Sequence, residues 1–187
     1  MYPQPIVIEP TVFAQVPDEL QLLDKESHMS RDIFRGRPLG SFLEGPSFDR
    51  DGNLLVVDIA HGRIFKISEG GEFSVLADYD GSPNGLKIHQ DGRIFAADRQ
   101  NGIVEVDPVN GKVSVYIGPD QLPGYKGVND LFFGANGDLY FTDQGDTGLH
   151  DPTGRVFRQD TDGALHCLID NVPSPNGLVM DPNETLL

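Results

Sequence analysis

Four stretches in one register, each followed by a similar turn, predict an all-β propeller for this 187-residue chain. The stretches are Glu44-Gly45-Pro46-Ser47-Phe48, Pro83-Asn84-Gly85-Leu86-Lys87, Val128-Asn129-Asp130-Leu131-Phe132 and Pro175-Asn176-Gly177-Leu178-Val179. Each carries an oxygen-bearing side chain at the matched place (Glu44, Asn84, Asn129, Asn176), and these places lie 40, 45 and 47 residues apart. Seven residues on comes a turn residue: Asp51, Asp91, Asn136 or Asn183. Gly52, Gly92 and Gly137 complete the first three turns, a strong hairpin signal. Fourteen residues after the first three matched places stand Asp58, Asp98 and Asp143. Repetition at this period, with room for four short strands per unit, is the mark of propeller blades.

Taken in order, residues 6–14 read as a strand broken by Pro10, which suits a sheet edge. Residues 17–40 lack a sustained period and contain Arg31, Arg35 and Arg37; they read as an irregular wrap with a short helical turn within 17–24. The chain thus divides into an N-terminal strand and wrap at 1–41 and a partial propeller at 42–187, with blades near 42–80, 81–125, 126–172 and 173–187. The first blade's strands are expected at 45–49, 54–58, 63–67 and 72–77, the second's at 85–89, 93–97, 102–106 and 112–116. The third gives 130–134, 138–142, 155–159 and 164–169, with an excursion at 144–154. The fourth opens with a strand at 177–181 and begins another at Thr185. Leu54-Leu55-Val56-Val57 is apolar throughout, as for a strand buried on both faces between blades.

Three blades and part of a fourth do not close a ring, so the chain reads as part of a longer one or as a unit that self-associates through its open edge. Ile6–Ile8 would be the outermost strand of a closing blade, left here without its partner.

The formal net charge of −15 excludes the basic footprint that nucleic acid needs. A single cysteine, Cys167, excludes an internal disulfide and reads as core packing in an outer strand. No apolar run is long enough for a membrane helix, and the opening Met1-Tyr2-Pro3-Gln4-Pro5 lacks the basic start of a leader. A soluble, cytoplasmic protein is expected.

Inner strands line a propeller's channel, so Glu44, Asn84, Asn129 and Asn176 should ring one mouth of it, with the loops after Asp58, Asp98 and Asp143 around them. A carboxylate and several amide oxygens converging there would suit a hard cation of the calcium type. Taken alone, however, Pro-Asn-Gly is an ordinary turn. Recurrence of Asp58, Asp98 and Asp143 in every complete blade assigns them to blade-to-blade hydrogen bonding. His61 and His150 fall in mouth loops, His89 at the far end of an inner strand and His166 in an outer one; all read as packing or surface residues. Zinc-helix, nucleophile-elbow and phosphate-loop motifs are absent.

Glu44-Gly45-Pro46, Asn129-Asp130 and Ser174-Pro175-Asn176-Gly177-Leu178 together resemble the motifs of the regucalcin (senescence marker protein)/gluconolactonase family of six-bladed propellers. Gly62-Arg63-Ile64-Phe65 and Asp151-Pro152-Thr153-Gly154-Arg155 add to the likeness, which runs from about Phe42 onward. The resemblance implies hydrolysis of a sugar lactone with one divalent cation, calcium first, zinc or magnesium next. It implies Glu44, Asn129 and Asn176 as metal ligands, Asn84 and Asn129 as substrate contacts, and Asn129 with Asp130 as catalytic candidates. The family's further aspartate, a ligand and candidate base from a fifth blade, has no counterpart in these residues, so this length is expected to be inactive. The alternative is a non-catalytic propeller that binds a small ligand or a protein partner.

Overall fold

Short apolar runs cut by Asp-Gly or Asn-Gly turns can satisfy their backbone groups only by pairing with the next run. The computed structural model describes residues 4–187, so Met1–Pro3, on which the absence of a leader partly rests, lie outside the described residues. Twelve strands are found there, in three four-stranded antiparallel sheets of simple up-and-down order. The first blade holds β1 (Leu43–Phe48), β2 (Leu54–Asp58), β3 (Arg63–Ile67) and β4 (Phe73–Asp78). The second holds β5 (Pro83–Ile88), β6 (Ile94–Asp98), β7 (Gly102–Val106) and β8 (Val113–Ile117). The third holds β9 (Val128–Phe133), β10 (Leu139–Asp143), β11 (Gly154–Gln159) and β12 (Leu165–Val172).

The period of two explains why the second strands are apolar throughout. Along β6, Phe95 and Ala97 enter the core shared with the third blade, while Ile94 and Ala96 enter the core shared with the first. Along β2, Leu55 and Val57 face the second blade, whereas Val56 joins Phe65 and Ile67 on the opposite side. No blade covers that side among the described residues. Ala14 and Leu20 of the N-terminal wrap pack on it instead. Burying a side chain such as Phe95 or Phe141 contributes about 1.5–3 kcal/mol, so these inter-blade layers set the spacing of the inner strands.

The wrap carries a 3-10 turn at Asp18–Leu20, as expected, and a wide helical turn at Met29–Ile33 that the sequence did not announce. The edge strand expected at 6–14 does not form; Ile6, Val7 and Ile8 are 89, 87 and 82% exposed and pair with no strand among the described residues. The strand expected at 177–181 is also missing. The segment lies alongside the third blade, where Thr142 Oγ1 donates to the Asn176 carbonyl (2.9 Å), but it has no ladder partner among the described residues. Cys167 is exposed in β12, a correction to its reading as core packing; among the described residues no further sheet lies over the outer strand there.

Asp58, Asp98 and Asp143 are fully buried at the ends of β2, β6 and β10. Their role is structural, but the main bonds stay within each blade rather than joining blades. Asp58 accepts from Phe42 N (2.9 Å), Asp98 from Ser82 N (2.9 Å), and Asp143 from Lys126 N and Gly127 N (3.0 and 2.7 Å). Each thereby fixes the segment leading into its own inner strand. In the first and third blades Arg63 and Arg155 neutralise the carboxylate from the facing position of the third strand. In the second blade that facing position is Gly102, and the Tyr79 hydroxyl reaches across from the first blade to donate to Asp98 (2.9 Å).

Candidate functional site at the channel mouth

The common register of the four stretches has a structural cause. In each paired inner strand the ladder slips at the matched place. Asn84 and Gly85 lie between the pairs Pro83↔Asp98 and Leu86↔Ala96, and Asn129 and Asp130 between Val128↔Asp143 and Leu131↔Phe141. In β1 the slip follows the Glu44↔Val57 pair. Two residues thus oppose one, a bulge that bends the strand and re-aims its side chains. Close approach of successive inner strands makes glycine necessary beside the bulge. Gly45 has φ of 57°, and a Cβ there would stand 2.6 Å from Leu86 N. A Cβ on Gly85 would stand 2.7 Å from Asp130 Cα.

The bulges of β1, β5 and β9 and the unpaired segment after β12 bring Glu44, Asn84, Asn129 and Asn176 to one cavity of about 570 Å³. Glu44 and Asn176 are exposed, Asn84 is half-buried and Asn129 is buried. Asn129 Nδ2 donates to Gln144 Oε1 (2.6 Å), and its Oδ1 is buried without a hydrogen-bond partner. A buried carbonyl oxygen left without a donor is costly unless something else satisfies it. The atoms of Glu44, Asn129 and Asn176 able to ligate a metal are all oxygens, a set that fits a hard cation. Among the described residues no cluster of three or more His, Cys, Asp or Glu side chains is placed to hold a metal, so the amides would have to contribute.

Asp130 does not line this cavity. It lies between neighbouring inner strands, against Gly85, accepting from Leu131 N (2.8 Å) and the backbone of Leu178, with Lys87 Nζ at 4.0 Å. Burial raises its pKa, and Lys87 and the two amides partly offset that rise.

Residues that motif reading did not single out complete the walls. The wrap contributes Met29 and Ile33, which with Phe42 and Ile59 form an apolar side. His28, Ser82, Arg99, Val128, Gln144 and Asp146 are further additions, and for Arg99 and Gln144 a signal existed in the repeat. Ile59, Arg99 and Gln144 each follow a buried aspartate directly, and each donates its backbone N–H to the lead-in of the inner strand, at Phe42, Ser82 and Gly127 respectively. Arg99 donates to Gly145 O (3.3 Å) and Asp146 (2.7 Å), fastening the loop that carries Gln144.

The histidines take no part in this cavity at the positions considered from sequence. His61 is buried with Nε2 against Leu39 O (3.1 Å), beside an adjoining cavity of about 450 Å³. His150 is exposed in the 144–154 excursion. His89 pairs with Asp91 (2.8 Å) and packs edge-on to Phe133, and His166 pairs with Asp160 (2.8 Å) on the outer strand.

Comparison with known proteins identifies the family and bears on the fold. Residues 42–187 match the family described as SMP-30/Gluconolactonase/LRE-like region. A gluconolactonase of Zymomonas mobilis is 37% identical over 167 residues, covering 77% of this chain and 47% of that protein. Lactonase drp35 of Staphylococcus aureus is 31% identical over 155 residues, covering 79% and 47%. The chain therefore spans about half the length of the curated relatives it matches. Among solved structures, a Xanthomonas campestris gluconolactonase superposes with a TM-score of 0.67 at 24% identity, over 77% of this chain and 52% of the other. A regucalcin from Agrobacterium tumefaciens, described as a calcium-binding protein, gives 0.57 at 18% identity, over 70% and 43%. At those identities the two structures bear on the fold, and the fold agrees: three blades of a propeller.

Proposed function

The chain belongs to the SMP-30/gluconolactonase/LRE-like family, and from that premise we propose that it supplies one side of the active site of a sugar-lactone hydrolase. The observation that carries the proposal is the meeting of Glu44, Asn84, Asn129 and Asn176 in one cavity, each from the start of a different inner strand or its lead-in. Glu44, Asn129 and Asn176 would hold a divalent cation, calcium ahead of magnesium or zinc because every donor is an oxygen. When bound, such an ion polarises the lactone carbonyl and makes water more acidic. With one carboxylate among the three, these residues alone hold the ion weakly, on the order of 10⁻⁴–10⁻³ M.

The remaining groups bind and orient. The Asn84 and Asn129 amides take up the hydroxyls of a sugar ring, while Met29 and Phe42 receive its carbon face. Asp130 acts from beneath, bracing Asn129 between the neighbouring strands. The acidic chain has no affinity for nucleic acid. Among the described residues no helix is long and apolar enough to cross a membrane; we place the protein in the cytoplasm. Its open blade face is a surface for self-association.

A pH-indicator assay on an aldonolactone, with calcium titrated in parallel by calorimetry, tests this in the protein carried to the length of its relatives. Glu44→Gln keeps size and removes one formal charge. It should weaken calcium binding and lower turnover together. Unchanged turnover and affinity in that variant would overturn the proposal in favour of a propeller that binds without catalysis.

A further inference from the structure

Gln144 occupies the gap between two of the proposed ligands. Its Oε1 accepts from Asn129 Nδ2 (2.6 Å), and its Nε2 donates to Ser174 Oγ (2.8 Å). One half-buried amide therefore joins the inner strand of the third blade to the segment two residues ahead of Asn176. Three further observations show that the contact is built rather than incidental. The backbone beneath Gln144 is fixed, because Gln144 N and Gly145 N both donate to Gly127 O (3.0 and 2.9 Å). Arg99 holds the same loop from the second blade. Ser174 has φ of 55°, a left-handed conformation that costs a non-glycine residue on the order of 1 kcal/mol or more and persists only where its surroundings impose it.

An asparagine amide can turn its nitrogen or its oxygen toward a site, and the two choices differ in chemistry: the oxygen can bind a cation and the nitrogen cannot. Gln144 decides the choice. With Nδ2 committed to Gln144 Oε1, the atom left over is Oδ1, which is buried without a partner. At its other end Gln144 holds Ser174 in the turn from which Pro175 packs against Gly154 and Asn176 reaches the cavity.

We propose that Gln144 is a positioning residue that presents the oxygen of Asn129, and fixes the turn carrying Asn176, toward one bound cation. The cation itself rests on the function proposed above; the amide orientation does not. Partners of this kind, set behind metal ligands, typically change affinity 10- to 100-fold when removed.

The test separates the two. Side-chain amide hydrogen exchange at Asn129 is measured by NMR in the metal-free 187-residue chain and in Gln144→Leu and Gln144→Glu. Calcium alone is then titrated into each. The strut requires slow exchange of the Asn129 amide in the unaltered chain, fast exchange in Gln144→Leu, and rescue in Gln144→Glu, whose carboxylate can still accept from Asn129 and from the Ser174 hydroxyl. Calcium binding should weaken at least tenfold in Gln144→Leu and remain in Gln144→Glu. Fast Asn129 exchange in the unaltered chain overturns the strut, as does equal exchange in all three. If Gln144→Leu does not fold, Gln144→Met, which keeps the length and removes both polar atoms, takes its place with the same expected and overturning results. Slow, Gln144-dependent exchange without calcium binding by any of them upholds the strut and sinks the metal reading instead.

Discussion

Replacing Asp143 by alanine should unfold the third blade's inner edge at a cost far above that of an ordinary substitution. The carboxylate is fully buried and accepts from Lys126 N, Gly127 N and the Arg155 guanidinium. Losing it strands two backbone amides, at about 1 kcal/mol or more each. It also leaves the mostly buried Arg155 without its counter-charge, and breaking a buried pair from one side typically costs about 3–5 kcal/mol. Arg155 keeps Pro123 O and Gly124 O as acceptors, which moderates the second term. The total should be about 4 kcal/mol. With a urea slope of roughly 2 kcal/mol/M, the unfolding midpoint should fall by about 2 M. Arg155→Leu in the same background tests the pairing, because the double variant should be more stable than the sum of the two losses by about 1–3 kcal/mol. Additive losses, or a midpoint shift under about 0.5 M for Asp143→Ala, would refute the stapling role.

Gly85→Ala places a methyl 2.7 Å from Asp130 Cα, backbone that cannot swing aside, and should destabilise by about 1–3 kcal/mol in the same urea assay. Alkaline pH should weaken the fold through two tyrosines. Burial, with smaller contributions from Asp143 and Asp98, pushes Tyr125 up to about 12 against two backbone hydrogen bonds that lower it, and burial with Asp98 raises Tyr79. A raised folded pKa gives stability that is full below the unfolded value near 10 and is lost as pH rises through the folded value. Absorbance titration should therefore show Tyr79 and Tyr125 ionising late, and Tyr125→Phe should remove one of these steps and flatten the loss of stability between pH 10 and about 12.

The blades were legible because turn chemistry and strand period are local. Asp51-Gly52 and Asn136-Gly137 mark hairpins, and Leu54–Val57 marks a strand buried on two sides, without reference to anything distant. The convergence of Glu44, Asn84, Asn129 and Asn176 was legible for a related reason: a bulge at one register position recurs in each paired inner strand, so spacing carried it. What needed coordinates was contact without period. Met29 and Ile33 reach the cavity from an irregular wrap whose path no repeat specifies. The strands expected at 6–14 and 177–181 have the right residues, yet a strand exists only with a partner to bond. Cys167 lies on an outer strand whose covering could not be read from the strand itself. The Gln144 contacts depend on which way two amides face, which no sequence pattern records.

The central claim, that Glu44, Asn129 and Asn176 make one oxygen-lined cation site with Asn84 beside it, is tested most directly by adding manganese, a paramagnetic stand-in for calcium, and following NMR line broadening. Site convergence predicts that the side-chain amides of Asn84, Asn129 and Asn176 and the backbone signals around Glu44 broaden together at the lowest manganese concentrations, and that calcium reverses it. Broadening spread over the acidic surface, with these four no earlier than the rest, would contradict the claim.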